Sequence, residues 1–149
     1  MKSQLHVVTL AVADLQRAVT FYRDGLGLAT EGIIGSEYPA TPDGPGGETA
    51  MFHLDGGLIL SLYPAGELAK DAGLPAEAIG GSGVSLGQIV PDRDDVDVVL
   101  REAELAGATV LGVAHERPWG IYSGYFRDLD GHLWEVLSFL PGAGPDADG

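Results

Sequence analysis

The chain has no cysteine, so disulfides, thiolate metal sites and a cysteine nucleophile are all excluded. Basic residues are scarce. Eight Lys and Arg stand against 22 Asp and Glu, a formal net charge of −14. Nucleic-acid binding needs a basic surface, so that class of function is disfavoured. The surplus acid keeps a protein soluble and would attract a cationic ligand over distance. Long apolar runs are missing too. None approaches the roughly 20 residues of a membrane span, and the first residues lack the basic start and apolar run of a signal peptide. A cytoplasmic protein with no membrane partner is the expectation. What remains suffices for a packed core: 149 residues, 45% of them hydrophobic.

Periodicity orders the chain. Residues 5–12 are apolar and β-branched and predict a strand. Asp14 then caps a helix over 15–24, with Leu15, Ala18, Val19 and Tyr22 at helical spacing and Phe21 beside them. Gly25 and Gly27 stop it, and a strand over 28–34 follows. Residues 35–48 are rich in Gly and Pro without periodicity, a loop long enough to act as a lid or a rim. A hairpin spans 49–54 and 58–63 across Asp55-Gly56-Gly57. Residues 64–83 read as a connector with a short helix over 65–72 and a flexible Gly-Gly-Ser-Gly run at its end.

The pattern then repeats. A strand over 84–90 leads to a helix that opens at 92–95, runs to about residue 106 and ends at Gly107. A strand over 108–113 and a hairpin over 121–127 and 132–139 complete the second copy, and 141–149 reads as a disordered tail. The two copies align as strand-helix-strand-strand-strand, with Val12-x-Asp14 matching Val90-x-Asp92 and Asp55-Gly56-Gly57 matching Asp130-Gly131-His132. The expected organisation is therefore a module over 1–63, a connector over 64–83 and a second module over 84–140.

The last hairpin carries the chemistry. Glu135 is a carboxylate in mid-strand among apolar neighbours, and an unpaired charge there is expensive to bury. The run Asp128-x-Asp130-Gly131-His132-Leu133-Trp134-Glu135-Val136, preceded by Trp119-Gly120 and Gly124-Tyr125-Phe126, resembles the C-terminal signature of the vicinal oxygen chelate superfamily. That group includes glyoxalase I, extradiol dioxygenases, fosfomycin-modifying enzymes and bleomycin-binding resistance proteins. The resemblance implies an α+β fold in which two βαβββ modules pair so that their sheets form a cup. It also implies that a metal ligand stands on the first and last strand of each module. The first-strand positions lie seven residues before the capping Asp, at Val7 and Ser85. The last-strand positions lie four residues after the turn glycine, at Leu60 and Glu135.

Val and Leu cannot coordinate a metal, and Ser is a poor ligand for divalent transition metals. No metal or other cofactor is therefore expected. The alternative is a divalent metal at Glu135 with His6 or His53. His6 neighbours the ligand position and so faces the opposite side of the strand. Strand parity turns Val7, Thr9, Ala11, Ser85, Gly87 and Ile89 inward, with Leu58, Leu60, Leu133, Glu135 and Leu137 as walls. Trp119, Tyr122, Tyr125 and Phe126 are expected to add aromatic surface, and His53 to touch a ligand. Trp134 and Gln88 are expected on the helix side.

Three functions fit. The first is a metal-free binding protein, similar to the bleomycin-type resistance members, that sequesters a planar or cationic small molecule as a homodimer. The second is a lyase, isomerase or dioxygenase with Glu135 as metal ligand or catalytic base. The third is a subunit or regulatory module whose cup is vestigial. Fold alone does not choose among them.

Overall fold

A computed structural model describes residues 1–79 and 83–143. It divides into two compact units, Met1–Gly81 and Ser82–Gly149. Residues 80–82 and 144–149 lie outside the described residues, and with them most of the expected glycine linker and of the expected tail.

In the first unit β1 (Val7–Val12), β2 (Ile33–Ile34), β3 (Thr49–His53) and β4 (Ile59–Pro64) form a sheet in the order β1-β4-β3-β2. β1 and β4 are parallel, and the other pairs antiparallel. Alternation assigns the faces. Leu10, Val12, Ala50, Phe52, Leu60 and Leu62 are buried, on the face that carries α1 (Leu15–Val19). Asp14 caps α1 by accepting from the Arg17 amide at 3.0 Å. The helix then widens into a π turn over Thr20–Gly25. That turn lets two consecutive aromatics, Phe21 and Tyr22, both enter the core, edge to face at 4.9 Å.

Two expectations change here. The third element shrinks to a two-residue strand, Ile33–Ile34, because Gly27 and Gly32 both take positive φ in the segment before it. The helix α2 (Ala65–Ala72), expected as part of a connector, continues directly from β4 and packs on β1 and β4 of the first unit.

The second unit repeats the plan. β5 (Ser85–Ile89), β6 (Thr109–Arg117), β7 (Ile121–Arg127) and β8 (Leu133–Phe139) lie in the order β5-β8-β7-β6. The helix α3 (Arg93–Leu105) starts in a capping box, with the Asp95 carboxylate accepting from the Asp92 amide at 3.1 Å. It buries Val96, Leu100 and Ala103 against β6, β7 and β8. A side chain at Gly124 would stand 2.6 Å from Leu100 Cδ1, which explains a glycine in the middle of β7. β6 runs four residues beyond its expected end because a register shift between Leu111 and His115, with Gly112 at φ +72°, absorbs the break and lets pairing resume.

Candidate functional site

The candidate site residues are sorted by the face of each sheet turned away from the helix that follows its first strand. In the first unit the β1–β4–β3 register assigns three rows to that face: Val7, Ile59 and His53; Thr9, Ser61 and Met51; and Ala11 and Tyr63, with Thr49 next along β3. Val7, Thr9 and His53 thus lie on this face as the alternation predicted, and all three are exposed. Leu60 does not. It pairs with Val8 and Phe52 and is 2% exposed on the helix side.

The error lies in the turn. Gly57 N–H donates to Leu54 O at 3.2 Å, and Gly131 N–H donates to Asp128 O at 3.1 Å. Leu54 N–H donates to Leu58 O, as Asp128 N–H does to His132 O. Gly57, not Gly56, is therefore the counterpart of Gly131, and Ser61 is the counterpart of Glu135. A slip of one residue moves a strand's whole side-chain set to the other face, so Leu58 also leaves the expected wall.

In the second unit the helix-free face carries Ser85, Gly87 and Ile89 on β5, with Leu133, Glu135 and Leu137 beside them on β8. Next come Ser123 and Tyr125 on β7, then His115 and Arg117 on β6. Tyr122 and Phe126, expected here, belong to the other face. The Tyr122 hydroxyl donates to Asp97 Oδ1 on α3 at 2.7 Å, and the Arg93 guanidinium lies 4.4 Å from its ring centre. The Asp97 bond, with burial, raises the Tyr122 pKa. Phe126 is 1% exposed and stacks on Trp134 at 6.0 Å. Trp134 is on the helix side as expected. Trp119 is exposed at the tip of the β6–β7 turn, where Gly120 N–H bonds Arg117 O at 3.1 Å.

What the register brings together is a polar group within an apolar surround. Tyr125 and Glu135 are direct cross-strand partners. Burial pushes the Tyr125 pKa up, the neighbouring Glu135 carboxylate pushes it further, and the Arg117 guanidinium opposes both. The Arg117 guanidinium lies over the Tyr125 ring, 5.8 Å from its centre. Its Nε donates to Ser123 Oγ at 3.1 Å and its Nη2 to Ser123 O at 3.3 Å. Ser123 is fully buried, so the arginine is tied to a rigid strand. Sequence reading did not place Arg117 on this face. Its place on this face depends on β6 continuing past the bulge, which the run of 108–113 did not signal.

The turn that starts β8 is also fixed. Asp128 Oδ1 accepts from the Asp130 and His132 amides at 2.9 and 2.8 Å, and Asp128 Oδ2 meets His132 Nδ1 at 2.8 Å. These bonds set the register that aims Glu135, three residues further on.

A metal of the kind the family's metalloenzymes hold does not fit the donors present. With the register corrected, the four positions are Val7, Ser61, Ser85 and Glu135, which offer one carboxylate, two hydroxyls and an alkyl group. Divalent transition metals take imidazole, carboxylate or thiolate. Among the described residues, no three His, Asp or Glu gather into a metal-binding group. His53 lies in the Val7 row. His6 precedes β1, its carbonyl accepting from the Ile59 amide at 2.9 Å.

Two mixed sheets of the same topology, each with a helix after its first strand, define the βαβββ class. The chain belongs to the Glyoxalase/Bleomycin resistance protein/Dioxygenase superfamily, whose family model matches residues 4–136. Solved structures similar to it include a glyoxalase-related enzyme from Fulvimarina pelagi, at 27% identity and a TM-score of 0.76, covering 99% of this chain and 96% of that one. A lactoylglutathione lyase from Agrobacterium tumefaciens is 26% identical with a TM-score of 0.61, covering 93% and 95%. A glyoxalase/bleomycin resistance protein/dioxygenase from Nocardioides is 24% identical with a TM-score of 0.72, covering 100% and 91%. No curated protein matches. No helix among the described residues is long and apolar enough to cross a membrane.

Proposed function

We propose that this chain is a small-molecule-binding member of the superfamily that works without a metal, holding a planar ligand on the helix-free face of its second module. The observation that carries the reading is the pairing of Tyr125 with Glu135 in a surround of Leu133, Leu137, Ile89 and small side chains at Ser85 and Gly87. An apolar surface with a few fixed polar groups is the general form of a small-molecule site. Tyr125 supplies an aromatic face, and Glu135 accepts from a donor or holds a cationic group on the ligand. The donor chemistry of the four metal positions supports independence from metal. A homodimer and a role in antibiotic resistance are extensions of the same proposal.

A second reading is an enzyme in which Glu135 acts as a general base, favoured by similarity to the lactoylglutathione lyase from Agrobacterium tumefaciens. A thermal-shift screen with planar aromatic compounds, run with and without chelator, separates the two. Binding proteins give a stoichiometric shift that chelator leaves unchanged and that Glu135→Ala abolishes. Turnover of a bound compound, lost in Glu135→Gln, would favour the enzyme instead.

A further inference from the structure

Arg117 is out of keeping with the rest of the chain's charge. The protein carries 22 acidic side chains, and three of its cations meet them: Arg23 meets Asp24 at 2.9 Å, Arg93 meets Glu116 at 2.9 Å and Lys70 meets Glu67 at 3.4 Å, while every Lys and Arg except Arg117 is exposed. Arg117 is half-buried, and among the described residues it makes no ion pair. Among the described residues its guanidinium bonds only Ser123, which takes one N–H from Nε and one from Nη2 and leaves Nη1 uncommitted. Glu135, on the same face, is the cross-strand partner of Tyr125 and makes no ion pair with Arg117 among the described residues. Holding a half-buried guanidinium in one orientation without a counter-charge is unfavourable unless an anion arrives from outside. A planar fork with donors to spare suits a carboxylate or a phosphoryl group, whose oxygens it meets two at a time.

We infer that the ligand of this face is amphoteric: a flat apolar body with an oxyanion seated on Arg117 and a hydrogen-bond donor or cation seated on Glu135. The inference rests on the binding reading above and adds the ligand's charge pattern to it. The Arg117 guanidinium lies 5.8 Å from the Tyr125 ring centre and Glu135 is the cross-strand partner of Tyr125, so one flat body placed beside Tyr125 reaches both charged groups. This modifies what the net charge of −14 implies, because long-range attraction favours cations while the site itself also demands an anion.

The test is a set of probes on one naphthalene core: 2-naphthoate, 2-naphthyl phosphate, 2-naphthylmethylammonium, and 6-(aminomethyl)-2-naphthoate, which carries both charges. Affinities are measured by calorimetry, with the Arg117 Nε–H resonance followed by NMR. The doubly charged probe is expected to bind about tenfold or more tightly than either singly charged carboxylate or ammonium probe, and to shift the Arg117 resonance. Arg117→Gln is expected to weaken naphthoate and naphthyl phosphate about tenfold and leave the ammonium probe unchanged. Whichever oxyanion binds the wild type more tightly identifies the group the fork accepts. Arg117→Lys keeps the charge but loses the tie to Ser123, and an intermediate loss there supports the geometry even if the Gln variant folds poorly. Equal anion affinity in wild type, Arg117→Gln and Arg117→Lys overturns the inference while binding of the ammonium probe leaves the functional reading intact. Failure of all four probes to bind overturns both.

Discussion

Leu60 offers the sharpest test of the corrected register. It is 2% exposed, paired with Val8 and Phe52, and next to Leu62, which is fully buried on the same helix-side face. Leu60→Ala removes three carbons from a packed site, and such changes cost about 2–5 kcal/mol in transfer and cavity terms together. For a chain of this size each kcal/mol lowers Tm by roughly 2–4 °C, so the loss is about 4–20 °C. Ile59→Ala, one residue away on the helix-free face, is expected to cost less than half as much. Equilibrium urea unfolding, followed by circular dichroism, measures both. A Leu60→Ala cost below about 0.5 kcal/mol, the range of ordinary surface changes, would refute the register and return Leu60 to the ligand face.

Three further outcomes are expected. Tyr122→Phe removes the hydroxyl bond to Asp97 and costs about 1 kcal/mol in urea unfolding, with probe binding unchanged because the side chain is on the helix face. Residues 35–48 are pinned rather than free: Gly46 N–H donates to Glu67 Oε2 at 2.7 Å, and the Tyr63 hydroxyl donates to Gly46 O at 2.7 Å. The Gly46 amide holds the Glu67 pKa below its ordinary value of about 4.3, so this stabilisation is complete above that value and is lost as pH falls through the lowered one. The protection factor of the Gly46 amide, taken relative to its intrinsic exchange rate, should therefore fall in acid in the wild type, and that fall should vanish in Glu67→Gln. Gly35→Ala should open the same loop at neutral pH, since Gly35 sits at φ +86° with its missing side chain aimed at Gly47 O. Unchanged protection of the Gly46 and Gly47 amides would contradict this.

Much of the architecture is legible in the sequence because two signals agree. The 3.6-residue spacing of Val96, Leu100 and Ala103 and the capping Asp92 both place α3, and alternation about the Asp130-Gly131 turn places β7 and β8. Where signals are degenerate the reading slips. Gly56 and Gly57 both take positive φ, so residue type alone does not say which one matches Gly131, and the choice decides the face of all of β4. Tyr122 and Phe126 differ from Tyr125 only in parity on β7, which cross-strand partners settle and composition does not. The bulge at Gly112 hides β6 beyond residue 113, and with it Arg117. Glu135 was visible from the start, since a lone carboxylate between Trp134 and Val136 stands out, and the register sets Tyr125 opposite it.

The central claim is that a family scaffold here binds its ligand through Tyr125 and Glu135 without a metal. Metal content by mass spectrometry, on protein purified without chelator and then incubated with excess Zn, Ni, Fe and Mn, tests it most directly. The account predicts far less than one bound ion per chain, unchanged in Glu135→Ala. Close to one ion per chain in the wild type, lost in that variant, would contradict it and make Glu135 a metal ligand.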